Sequence, residues 1–215
     1  MNTIECSKLS CGCPQKASFV RILHASPDAP AVDIYVNGNL VAKHLTYKKF
    51  TDYFLVAPGD YRIEVFTGGK RETLVAQACL CICPCSALTI AVNGMMCDIG
   101  LIEIPEIYDI NRQIRRPRKT YLRFVQLSPN APPLDLTLTE GTKLFRNVCY
   151  KAHTRYIILD PGTYSFQVKP AGSSQPGLTV PNIVLERGRA YSMYAVGLVG
   201  DEPPLETIMA VDGSY

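Results

Sequence analysis

Along much of the chain, apolar and polar residues alternate with a period of two, the spacing of a half-buried β-strand. Val32, Ile34 and Val36 alternate with Asp33, Tyr35 and Asn37, and Tyr61, Ile63 and Val65 alternate after Pro58-Gly59. Asn37-Gly38 is a hairpin signal, because the favoured two-residue hairpin turn needs positive φ at both positions. Leu134, Leu136 and Leu138 repeat the pattern, as do Tyr164, Phe166 and Val168 after Pro161-Gly162. Short strands with frequent turn signals predict antiparallel β-sandwiches.

The pattern is duplicated. The stretch from Val20 to Ile34 lines up with that from Leu122 to Leu136; Gly38 matches Gly141, Tyr47 matches Tyr150, and Tyr53 matches Tyr156. Pro58-Gly59-Asp60-Tyr61 matches Pro161-Gly162-Thr163-Tyr164, and Ala87-Leu88-Thr89-Ile90 matches Ala190-Tyr191-Ser192-Met193. Ordered matches at one offset indicate a tandem repeat of about seven strands per copy. The expected organisation is a cysteine-rich arm (1–17), a first sandwich (18–104), a basic linker (105–119) and a second sandwich (120–215). The linker carries Arg112, Arg115, Arg116, Arg118 and Lys119, read as a solvated connector.

The segment from Phe19 to Val36, with its run His24-Ala25-Ser26-Pro27-Asp28-Ala29-Pro30, resembles the opening of the bacterial domain-of-unknown-function family 4397. The later Pro-Gly-x-Tyr fits the same family, and both copies fit, the second with Gln126 for His24 and Asn130 for Asp28. The resemblance implies immunoglobulin-like β-domains of bacterial surface proteins and supplies no catalytic residues.

Composition narrows the function classes. At 47% hydrophobic and 19% charged, 215 residues can bury two cores. A net charge of +3 without a concentrated basic face argues against nucleic acid as a partner. The first residues lack the apolar core of a secretion leader, and no run of ~18 apolar residues predicts a membrane span. Nine cysteines therefore point to bound metal, reduced thiols, or oxidation after release by a route without a leader. The odd count leaves at least one thiol free or joined to another chain.

His24, Ser26 and Asp28 are the residue types of a catalytic triad, but triads are defined by geometry and these lie on one Pro-bounded turn. Asp28 and Asn130 are expected to bond nearby backbone and fix that turn, with Pro27 and Pro30 stiffening it; Ser26, Ser128 and Pro129 belong to the same structural turn. Asp33 and Asp135 are expected to make structural hydrogen bonds, and His44 and His153 to lie at the surface. No nucleophile elbow, zinc-protease helix or phosphate loop occurs. No cofactor and no enzymatic activity are expected.

The cysteines carry the chemistry that remains. In Cys79-Leu80-Cys81-Ile82-Cys83-Pro84-Cys85 the thiols alternate with apolar residues. In the second copy Ile183 and Leu185 stand at Leu80 and Ile82, while Asn182, Val184 and Glu186 stand at Cys79, Cys81 and Cys83. The cysteines thus replace a solvent face. Zinc brings its sulfurs within ~4 Å of each other, whereas same-face strand neighbours lie ~6.6 Å apart, so one ion is poorly chelated. Parallel side chains also pair poorly in disulfides. Partners are expected from the arm, Cys6, Cys11 and Cys13, either the chain's own or a neighbour's; Cys97 and Cys149 lie elsewhere.

A neighbour's arm makes a head-to-tail contact that propagates, and it can also add as a strand at a sheet edge. In its logic this resembles the cysteine-bearing connectors of bacterial endospore appendages. The leading expectation is a structural protein whose partner is itself, forming a disulfide-stabilised surface layer or filament at the cell or spore surface. A monomeric adhesion module for carbohydrate or protein, and a metal- or redox-handling protein, are the alternatives.

Overall fold

The structure, a computed structural model, describes residues 17–69, 71–108 and 118–215. The chain divides into two compact units, Met1–Tyr108 with Tyr215, and Asp109–Ser214.

In the first domain eight strands follow one another: β1 Ser18–His24, β2 Val32–Val36, β3 Asn39–Leu45, β4 Phe54–Val56, β5 Gly59–Thr67, β6 Leu74–Ile82, β7 Ala87–Asn93 and β8 Gly100–Glu106. They form two four-stranded sheets, ordered β4-β1-β7-β8 and β3-β2-β5-β6. The apolar members of the alternating pattern meet between the sheets. Ile22, Ile90 and Val92 from one sheet and Ile34, Val65 and Ile82 from the other join a single buried cluster. The β2–β3 hairpin turns at Asn37 (φ 49°) and Gly38 (φ 83°), the two positive φ values that such a turn requires.

The second domain repeats the plan with β9 Thr120–Gln126, β10 Leu134–Leu138, β11 Lys143–Val148, β12 Ile157–Leu159, β13 Gly162–Pro170, β14 Leu178–Leu185, β15 Ala190–Val196 and β16 Glu206–Asp212. Its sheets, β12-β9-β15-β16 and β11-β10-β13-β14, occupy the corresponding places. Leu122, Phe124 and Met193 pack with Leu136, Phe166 and Leu185 in its core.

Two tandem β-sandwiches are therefore the architecture, with two differences from the sequence expectation. Among the described residues each copy has eight strands rather than about seven. Nor is the pairing purely antiparallel: β1 runs parallel to β7, and β9 parallel to β15. Alternation along a strand reports which face is buried and carries no information about the direction of its partner. The short β4 was the strand most easily missed; it is three residues long.

The first domain carries an apolar pocket of about 270 Å³, partly open to solvent beside the exposed Leu55, whose walls include Val20, Ile22, Phe54, Ile63, Ile82 and Ile90. At Val20, Ile22, Ile63 and Ile90 the second domain carries Leu122, Phe124, Phe166 and Met193, which bring longer or broader side chains to the same places. The expected basic linker begins inside β8, which continues to Glu106, and residues 109–117 lie outside the described residues.

Candidate functional site: a thiol-bearing sheet edge

Among the described residues β6 lies at the end of its sheet, paired with β5. Its register against β5 runs without interruption from Gly59 opposite Ile82 to Val65 opposite Ala76. Along this regular stretch the side chains alternate strictly. Leu80 (8% exposed) and Ile82 (2%) enter the core, and Cys79 and Cys81 are exposed. Opposite them on β5 stand Arg62 and Asp60. Arg62 pairs with Glu64 at 3.0 Å and approaches Gln77 Oε1 at 3.3 Å, so the face around Cys79 is polar and solvated. Cys79 is a free thiol, as are the exposed Cys97 and Cys149.

Cys83 departs from the expected row. The strand ends at Ile82; Cys83, Pro84 and Cys85 form a half-buried turn, with Cys85 at φ 54°. The Cys83 carbonyl accepts the Ser18 and Ser86 hydroxyls, each at 2.7 Å. Cys83 and Cys85 are not among the free thiols. The seven-residue cluster is thus two pairs: Cys79 and Cys81 on an open strand face, Cys83 and Cys85 in a turn against the start of β1. Proline at position 84 and the strand end explain the split, because alternation holds only while the chain stays extended.

The duplicate strand differs locally as well. Between Tyr164 and Phe166 the β13–β14 pairing slips, and Asn182 takes φ 58° there. Val184 (61% exposed) is the direct counterpart of Cys81, whereas Asn182 sits in the bulge, its N–H donating to Ser165 Oγ. Cys6, Cys11 and Cys13 lie outside the described residues. Cys97 occupies a short 3-10 turn, Met96–Asp98, and Cys149 follows β11, its thiol donating to the Asn147 carbonyl at 3.8 Å. Among the described residues, no three His, Cys, Asp or Glu side chains are grouped to hold a metal ion, and no helix is long and apolar enough to cross a membrane.

The turn after β1 is a hydrogen-bonded knot. His24 Nε2 lies 3.0 Å from the Pro30 carbonyl, which only accepts, so this nitrogen carries the proton. Nδ1 then accepts the Ser26 N–H at 3.3 Å. Burial lowers the His24 pKa from the ordinary 6.5, partly offset by the Pro30 bond. Ser26 Oγ donates to Gly94 O at 2.6 Å, and Asp28 Oδ1 accepts the Met96 N–H at 2.8 Å. Each of the three residue types of a triad is therefore committed to backbone. Pro27 is buried, while Asp28 and Pro30 are exposed.

The second copy makes the same knot with different side chains. Gln126 accepts the Ser128 N–H at 2.6 Å and donates to Ser128 O at 3.3 Å, while Ser128 Oγ reaches Gly197 O at 2.6 Å. Asn130 exchanges two bonds with Val199, beside the half-buried Pro129. Asp33 accepts the N–H groups of His44 and Gly69; Asp135 accepts those of Asn147 and, at 2.7 Å, the Lys143 ammonium. Despite its burial, these bonds hold the Asp135 pKa below the usual carboxylate value. His44 and His153 are exposed.

A buried ionic network in each domain went unread in the sequence. Arg21 donates to Thr89 Oγ1 (2.8 Å) and pairs with Glu106 (3.0 Å), which Tyr53 also contacts. Arg123 likewise meets Ser192, Asp212 and the ring of Tyr156. The available signal was an arginine at the centre of an apolar strand in both copies.

Two sandwiches in tandem, the first with Cys79 and Cys81 exposed on β6, define a duplicated β-protein. The model of the family DUF4397, a domain of unknown function, matches residues 18–137 and again 120–214. The chain belongs to that family. No curated protein matches it in sequence. Among solved structures, the C-terminal domain of AlgF from P. aeruginosa is 20% identical, covering 44% of this chain and 98% of that one at a TM-score of 0.35. A family 26 carbohydrate-binding module of Eubacterium rectale Amy13K, solved with maltoheptaose, is 11% identical over 90% of this chain and 96% of that one (TM-score 0.28). A candidate cell adhesion protein from Bacteroides ovatus is 11% identical over 92% and 97% (TM-score 0.25). These likenesses are partial.

Proposed function

We propose that the protein is a non-catalytic structural component that joins copies of itself into a disulfide-stabilised surface layer or filament, with the cell or spore surface as its setting. The observation that carries this is the exposure of Cys79 and Cys81 on the outer face of edge strand β6, in a register that keeps Leu80 and Ile82 buried. Two thiols on one strand face point the same way, so neither reaches the other. Both side chains face solvent, and Cys6, Cys11 and Cys13 are sulfurs that another copy can supply. An edge also leaves backbone groups open to an incoming strand. A thiol donor and a thiol acceptor on different surfaces give a heterologous contact, which repeats into rings or fibres.

The test is oxidation of the purified, reduced protein with a low-molecular-weight disulfide, followed by a non-reducing denaturing gel and electron microscopy. A ladder of multimers that dithiothreitol collapses is expected, together with particles or fibres. Cys79→Ser/Cys81→Ser should reduce the ladder to monomer without lowering the melting temperature. A wild-type protein that stays monomeric after oxidation sinks the proposal.

A further inference from the structure

The apolar pocket of the first domain is lined by no cysteine, so what it holds is independent of the self-assembly reading. We infer that it is a binding site for the single alkyl chain of a small amphiphile, about six to eight carbons long, taken up chain first with its polar end left at the mouth.

Three observations converge on this ligand. The first is the lining. Val20, Ile22, Ile63, Ile82 and Ile90 are all buried, none more than 6% exposed. Among the described residues Tyr61 is the one lining residue with a polar side chain, and its hydroxyl donates to the Ala57 carbonyl at 2.7 Å. A trapped water needs several polar partners, which these walls do not supply, so the space favours carbon.

The second is size and access. About 270 Å³ exceeds the ~150 Å³ in which an apolar cavity holds a benzene ring. The pocket is partly open where β4, at the end of its sheet, brings in Leu55 at 68% exposed. Such an opening admits a chain and leaves its head group in water. No charged side chain among the described residues lines the pocket to select one head group over another.

The third is the duplicate, which shows that the fold does not require the space. Besides the exchanges at Val20, Ile22, Ile63 and Ile90, Leu144 and Leu159 stand where Val41 and Val56 line the pocket. Phe54 against Ile157 is an exchange in the other direction. An unfilled apolar volume forfeits packing contacts. The second domain makes them with its own side chains, and a bound alkyl chain makes them in the first.

The experiment titrates the full-length protein, labelled with carbon-13 at the isoleucine δ1 methyls, with straight-chain alcohols from butanol to octanol. The expected result is saturable movement of the Ile22, Ile63, Ile82 and Ile90 signals, while those of Ile157, Ile158 and Ile183 in the second domain stay in place. Each added methylene should tighten binding about fourfold, the factor that burial of one CH₂ supplies. Ile63→Phe, which installs the side chain of the second domain, should weaken hexanol binding by about tenfold or more, because it brings more carbon into the same volume. Val20→Leu, a smaller change that spares the fold if the phenylalanine does not, should weaken it about fourfold. Dispersed methyl signals report that each variant is folded. Cys79→Ser/Cys81→Ser should bind hexanol as the wild type does, so a failure of self-assembly leaves this inference standing. Shifts that grow without saturation, equal shifts in both domains, affinity that does not rise with chain length, or folded Ile63→Phe and Val20→Leu proteins that bind as the wild type does would each overturn it.

Discussion

His24 and Gln126 stand at one structural position and do one job with different chemistry. A neutral imidazole offers one donor and one acceptor, and so does a carboxamide. An imidazolium offers two donors and would confront the Ser26 N–H with a proton. Burial, which disfavours the charged ring, lowers the His24 pKa below 6.5 in the folded chain, and the neutral ring keeps this donor–acceptor pair. The sign follows: below about pH 6.5 the unfolded chain binds a proton that the folded one refuses, so this contribution to stability is complete above that pH and is lost as pH falls. His24→Gln, the side chain of the second copy, should abolish it. Thermal melts of wild type and variant should keep a constant difference near pH 8 and shift in the variant's favour toward about pH 5. A shift the other way would mean that His24 is held charged. The knot was legible as a Pro-bounded turn, and Asp28 and Asn130 were legible as its hydrogen-bonding residues. Its far ends at Gly94, Met96, Gly197 and Val199 were not, because bonds over 68 or 69 residues leave no local pattern.

At the scale of the element, β6 shows where period-two reading succeeds and where it stops. Leu80 and Ile82 as core residues, with Cys79 and Cys81 outside, follow from alternation alone. The strand's end at Ile82 and the bulge at Asn182 depend on how β5 and β13 pair with their neighbours, which alternation does not encode. The facing core of the same strands carries a second lesson. Where the second domain has Phe166, the first has Ile63 lining an apolar, partly open pocket of about 270 Å³. Ile63→Phe should therefore fill space that the duplicate already fills. The expected gain is about 0.5–1 kcal/mol for the first domain, read as a higher urea midpoint at unchanged m-value. A lower midpoint would show that strain at β5 outweighs the added contacts.

For the whole molecule, the duplication made the fold legible and concealed part of its wiring. Matched residues revealed two sandwiches, yet neither the parallel β1–β7 pair nor the buried Arg21–Glu106 and Arg123–Asp212 pairs could be read from a single copy's pattern. The duplicates also differ along the β6 and β14 strands, since β6 carries cysteines and β14 carries none. Full-length protein with Cys79 and Cys81 replaced by serine should still fold, and its far-ultraviolet circular dichroism should match that of the wild type, because both side chains project from a solvated face. Loss of the sheet signal in that variant would assign the thiols a role inside the fold.

The position of β1 has a mechanical consequence. It lies between β4 and β7, and six of its residues, Phe19 to His24, are in register with β7. A pull on the N-terminal segment travels along β1, across bonds that must yield together rather than one by one, because ladder bonds lie transverse to the strand. Such a domain resists tension applied along β1. Tweezers attached at the N-terminus and at Cys97, a few residues past β7, with the other cysteines changed to serine, should record a higher rupture force for the first domain than handles at Cys79 and Cys97, which draw on the edge strand. Equal forces in the two geometries would remove β1 from the load path.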